Sequence, residues 1–109
     1  MERSFDIVIL LDIYGELLAN SQREALDMRY NADLSLSEIA EEMGGVTRQS
    51  VVYAIKKGEQ KLAELEEKLG FAKRLHSVSA KLEKAEALLE NGNSFDEIKL
   101  LLSEIKREL

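Results

Sequence analysis

The residues best suited to chemistry lie in one short run, TRQSVVYAIKKGE, from Thr47 to Glu59. An arginine fork bridges O6 and N7 of guanine, and a glutamine amide bridges N6 and N7 of adenine. Arg48 and Gln49 place both groups at the start of an expected helix. Thr47 suits the cap of that helix, whose first amides would then face a phosphate. Thr47, Arg48, Gln49 and Ser50 are expected to form an exposed first turn, followed by Tyr53 and Ala54. Lys56, Lys57 and Lys61 lie further along and suit neutralisation of backbone phosphates. Arg23 and Arg29, upstream, are expected to add to that stripe.

Such a row needs a scaffold, and the upstream residues describe one. SLSE, Ser35 to Glu38, is a capping box opening a helix over about Leu36–Met43. Leu36, Ile39, Ala40 and Met43 have helical spacing. Gly44 and Gly45 make the turn, since glycine reaches positive φ at little cost. Ala40 supplies the small contact of a helix-turn-helix, and Val46, Val51 and Ile55 its apolar anchors. The helix from Thr47 is long, with Val51, Ile55, Leu62, Leu65 and Leu69 on one seam. Gly58 weakens it by about 1 kcal/mol relative to alanine, and Gly70 is its expected stop. Before this unit, a helix over about Ser4–Tyr14 is interrupted or ended by Gly15. A second capping box, Ser21 with Glu24, is expected to open a helix that runs to about Tyr30.

Beyond residue 70, two further helices are expected, about 71–90 and from Phe95 onward. Leu75, Val78, Leu82, Ala85 and Leu89 step by three and four. Phe95, Ile98, Leu102, Ile105 and Leu109 do the same. ENGNS is the turn between them, with a third capping box at Ser94 and Glu97. The pair should form an antiparallel hairpin with little core of its own, so its seam must pack on the N-terminal bundle or on a second copy of the chain. The fold class is all-α: a helical bundle with a helix-turn-helix over 1–69 and a helical arm over 70–109.

Composition narrows the function. The chain has 109 residues, no cysteine and no proline, with a net charge of −6. Its first sixty residues hold six basic and eleven acidic groups, so the usual basic footprint of a nucleic-acid-binding domain is absent as an average. Any phosphate attraction must be local. Glu38, Glu41 and Glu42 would oppose it, and the same motif could serve purely as a scaffold. No apolar stretch reaches the ~20 residues of a membrane span, and MERSFDIVILLDIYG lacks a signal peptide's basic start. The cytoplasm is the simplest location. His76 stands without a partner suited to acid–base work, and nothing in the sequence calls for a cofactor, a metal or an enzymatic reaction.

LLDIYGELL, SQREALDMRYNADLSLSEIAEE and TRQSVVYAIKKGE together resemble the bacterial YlxM-like helix-turn-helix family over roughly Asp6–Leu69. The family looks like a relative of region 4 of sigma factors. The resemblance implies a DNA-binding regulatory protein acting in the signal recognition particle pathway, because the family's genes usually neighbour those of that particle's GTPase and its receptor. Arg48, Gln49 and Lys56 match the family pattern, and Lys57 stands for its arginine. The sequence departs from the pattern with an extra glycine in the turn and with Thr47 in place of serine. Val52 takes the usual tyrosine position, and Tyr53 and Ala54 fall where aspartate and asparagine are common. Two readings stay open. One is a nucleic-acid-binding regulator, with DNA ahead of RNA. The other is an acidic adaptor for a basic partner, such as the GTPase of the signal recognition particle. A sigma-like contact with RNA polymerase is a third, by analogy of fold alone.

Overall fold

The computed structural model describes residues 6–92 and 95–109. Six α-helices are found among them: α1 (Ile7–Tyr14), α2 (Asn20–Tyr30), α3 (Leu36–Glu42), α4 (Arg48–Leu69), α5 (Phe71–Glu90) and α6 (Phe95–Glu108). A 3-10 turn, Gly15–Leu17, joins α1 to α2. The all-α expectation holds for the described residues. The chain divides into two compact units, Met1–Gly70 and Phe71–Leu109.

In the first unit α1, α2 and α3 all pack on α4. Leu10, Leu11 and Tyr14 from α1, Ala25 and Leu26 from α2, and Ile39 and Ala40 from α3 meet Val51, Ala54, Ile55 and Leu62 in one buried core. Its one large polar atom is satisfied. Tyr14, 1% exposed, donates its hydroxyl to Glu66 Oε1 at 2.6 Å, so α1 is tied to the far half of α4. Tyr30, at the end of α2, makes a second tie through its hydroxyl to Glu59. That hydrogen bond raises the Tyr30 pKa, with desolvation adding to it.

Helix starts follow tertiary anchors as well as local chemistry. Asp6 caps α1, its carboxylate accepting from the Val8 amide at 2.9 Å. The expected start at Ser4 lies outside the described residues. The box expected at Ser21 and Glu24 does not form. α2 begins earlier, at Asn20, with Ala19 as an N-cap that makes no side-chain hydrogen bond. Leu18 is buried and extended, and helical bonding begins directly after it, with the Arg23 amide donating to the Ala19 carbonyl at 2.9 Å. Ser21 is therefore already inside the first turn. The box expected at Ser94 and Glu97 includes Ser94, which lies outside the described residues.

Gly58 needs a different account from its helix propensity. It is buried where α2 crosses α4, and a Cβ there would sit 2.6 Å from Leu26 Cδ1 and 3.4 Å from Gln22 Cβ. Leu26 is fully buried and has little room to yield. The glycine lets the two helices approach backbone to side chain. In the second unit, α5 and α6 run antiparallel: Ser77 Oγ donates to Glu108 Oε2 at 3.0 Å, and Lys81 bridges to Glu104 at 3.8 Å and to Glu108.

Gly58→Val should lower stability by about 1–3 kcal/mol through overpacking, read as a lower urea midpoint with an unchanged slope. An unchanged or higher midpoint would show that the α2–α4 approach is not limiting.

Candidate nucleic-acid interface

The candidate interface is built on the junction of α3 with α4. α3 starts with the expected capping box: the Glu38 amide donates to Ser35 Oγ at 3.1 Å, and the Ser35 amide donates to Glu38 Oε1 at 2.8 Å. The hydrogen bond from the Ser35 amide, and after it one from the Ser35 side chain, hold the Glu38 carboxyl below its ordinary range. α3 ends on both glycines. The Gly45 amide reaches back to the Ala40 carbonyl at 3.0 Å and the Gly44 amide to that of Glu41 at 3.1 Å. This is the paired closure of a Schellman motif. Gly44 and Gly45 have φ of 93° and 85°, both left-handed. The additional glycine thus takes its own backbone bond, and two successive residues run through conformations that side-chain-bearing residues disfavour.

Thr47 caps α4 as expected. Its Oγ1 accepts from the Ser50 amide at 3.0 Å and donates to Ser50 Oγ at 3.0 Å. The Thr47 and Ser50 hydroxyls are thus engaged with each other. The amides of Arg48 and Gln49 have no acceptor within the helix, as at any helix start, and they offer the positive end of the dipole.

Burial divides the remaining candidates. Arg48, Gln49, Tyr53, Lys56, Lys57 and Lys61 are all exposed. At ~100° per residue, Gln49, Tyr53 and Lys56 line the face opposite the buried row Val51, Ala54, Ile55, Gly58 and Leu62. Gln60 continues that outward stripe and is exposed. The four-three-four spacing 49, 53, 56, 60 marks it in the sequence, but its neutral side chain sets it apart from the lysines chosen there for phosphate contact. Arg48 lies on one flank of the stripe. Lys57 lies on the other, its Nζ 5.7 Å from the centroid of the Tyr53 ring. Tyr53 is 65% exposed. Lys57, Lys61 and Gln60 share a shallow cleft of about 320 Å³ with the start of α2.

Three expectations fail. Ala54 is buried, because it falls on the same helix face as Val51 and Gly58. Val46 is 40% exposed and does not anchor the core, since it sits in the short link between Gly45 and the cap. The helix-two arginines stand apart from the lysine stripe. Arg29 Nη1 donates to the Leu34 carbonyl at 3.1 Å and so fastens the α2–α3 loop. Arg23 lines a groove of about 590 Å³ between α1 and α2, with apolar Val8 and Ile9 and the carboxylates Asp12, Glu16, Glu24 and Asp27. No sequence signal marked that groove, because its walls come from two helices with separate periodicities. No helix among the described residues is long and apolar enough to cross a membrane.

Comparison with known proteins places the chain among helix-turn-helix relatives. The sequence profile of a family described as "UPF0122: Putative helix-turn-helix protein, YlxM / p13 like" matches residues 1–107. A UPF0122 protein of Clostridium kluyveri is 51% identical over 69 residues, 63% of this chain and 61% of that protein. The chain thus spans under two thirds of that relative's length. One from Acetivibrio thermocellus is 38% identical over 96 residues, covering 88% of this chain and 79% of the relative. One from Clostridium perfringens is 36% identical over 110 residues, covering 100% and 97%.

The capping box makes a pH prediction. A carboxyl whose folded pKa is depressed stabilises the fold above its ordinary pKa, and that contribution fades as pH falls from the ordinary value through the folded one. The urea midpoint of the wild type should therefore fall more steeply on acidification through the usual glutamate range than that of Glu38→Gln. Parallel pH profiles would remove the box from the stability of this junction.

Proposed function

The chain belongs to the UPF0122 family of YlxM/p13-like helix-turn-helix proteins, and on that footing we propose that it is a DNA-binding regulatory protein that acts in the signal recognition particle pathway. The single observation carrying the DNA reading is the outward stripe of α4. Gln49, Tyr53, Lys56 and Gln60 are aligned and exposed, directly after a helix start whose cap leaves two amides open. Arg48 and Gln49 read base edges from the first turn. Thr47 and Ser50 shape that turn, and their paired hydroxyls make them positioning groups before contacts. Tyr53 offers an aromatic edge, while Lys56, Lys57 and Lys61 neutralise phosphates. The acidic average does not forbid this. Within Arg48–Lys61 the one carboxylate is Glu59, and Tyr30 holds it. The pathway assignment rests on the family resemblance alone.

A second reading has its own observation, the groove between α1 and α2. Its apolar floor and carboxylate rim suit a basic apolar segment by complementary charge. In that reading the protein is an adaptor for a basic partner such as the GTPase of the signal recognition particle. In both readings the C-terminal arm serves for packing or for pairing with a second copy.

Fluorescence anisotropy with mixed-sequence duplex DNA and with signal recognition particle RNA, at two salt concentrations, tests the first reading. Lys56→Ala should weaken all sequences alike and reduce the salt slope by about 1, while Arg48→Ala should relax sequence preference at a cost of about 1–3 kcal/mol. Wild-type affinity in both variants would overturn these contacts. No binding of either nucleic acid at low salt would move the function to the groove.

A further inference from the structure

The arm carries more apolar surface than its hairpin uses. The three-four rows of α5 and α6 split into two sets. Ala85, Ile98, Leu101 and Ile105 are buried and Val78 and Leu88 are half-buried. Leu75, Leu82 and Leu89 are exposed at 56%, 46% and 59%, and Phe95, Leu102 and Leu109 at 77%, 47% and 86%. Each exposed set repeats every seven residues, the period of a helix seam that meets another helix.

The two exposed rows share one face of the hairpin. At ~100° per residue, each lies roughly 80–90° from its own helix's inward row, in the same rotational sense along the chain. Because the helices run in opposite directions, equal senses bring both rows to the same side. The contacts of Ser77 with Glu108 and of Lys81 with Glu104 set the register. In that register Leu89 is level with Phe95, Leu82 with Leu102 and Leu75 with Leu109. The result is three apolar rungs across one surface.

We propose that this three-rung face is the surface through which two copies of the chain pair, closing a four-helix bundle. This rests on the reading of the arm as a dimerisation element, and stands apart from whether α4 holds nucleic acid. Two observations favour a second copy as the occupant. Residues 71–109 hold seven basic and seven acidic side chains, so two arms meet without net repulsion, while the first seventy residues carry the whole charge of −6. The size also fits. The rungs span a projected footprint of roughly 25 Å by 20 Å. Its corrugated side-chain surface is larger and is on the order of the ~800 Å² per partner of a standard interface.

Sedimentation equilibrium of the full chain tests the pairing without any nucleic acid. The wild type should run at twice the chain mass. Leu82→Glu and Leu102→Glu, on the middle rung, should each weaken the dimer roughly 100-fold or more, because both copies would bury a carboxylate. Leu100, 56% exposed on the far side of α6, supplies the control: Leu100→Glu should stay dimeric. Circular dichroism of each variant checks that the helices persist, and a second pair, Leu82→Ser and Leu102→Ser, replaces either glutamate variant that unfolds. A monomeric wild type overturns the proposal. So do middle-rung variants that remain dimeric, or a Leu100→Glu variant that alone dissociates. Loss of nucleic-acid binding in a wild type that remains dimeric would count against the α4 reading and leave the pairing intact.

Discussion

The approach of α2 to α4 at Leu26 and Gly58 is the constraint on which the first unit depends. α4 is the one helix that α1, α2 and α3 all pack against, and at Gly58 its surface is bare backbone. Leu26 fills that gap, which presses α2 close to the middle of α4. Both tyrosine ties meet α4 beyond the glycine. Tyr30 reaches Glu59 one residue after the glycine, and Tyr14 reaches Glu66 two turns further on. Close packing sets the distance between the helices, and the two hydroxyl–carboxylate bonds add direction. The rotation of α4 about its axis follows from these contacts. That rotation turns Gln49, Tyr53, Lys56 and Gln60 outward and Ala54 inward.

Features decided within a few residues were legible in the sequence. The Ser35–Glu38 box, the two-glycine turn, the Thr47 cap and the stop at Gly70 each close on atoms three to five residues away. Features decided by distant partners were not. Ser21 and Glu24 have the same spacing as the box that forms, but buried Leu18 sets where α2 begins. Gly58 reads as a weak point in a helix, because its benefit lies in a side chain thirty-two residues earlier. Ala54 lies only about 100° around the helix from Tyr53, and it is the width of the buried face set by α1, α2 and α3 that takes it inward.

The arm shows the same limit in another form. A row that steps by three and four covers a band of the helix wide enough to touch two neighbours. Periodicity shows that such a band exists and leaves open how it is shared. In the structure the hairpin takes Ala85, Ile98, Leu101 and Ile105, and the heptad rows beside them stay outside. The ion pair of Lys81 and the hydrogen bond of Ser77 with Glu108 fix the register, and they hold the Glu108 carboxyl below its ordinary range.

The turn between α3 and α4 is limited by handedness and not by room. Around Gly44 and Gly45 no atom lies within 4 Å of where a Cβ would be placed, yet both residues have strongly positive φ. The penalty for an ordinary side chain there comes from its own backbone, since an L-residue disfavours these angles. A mirror-image residue prefers them. The junction is therefore a stretch in which chirality alone selects glycine, and D-alanine at either position would keep the backbone bonds to Glu41 and Ala40 while losing the freedom that glycine brings to the unfolded chain.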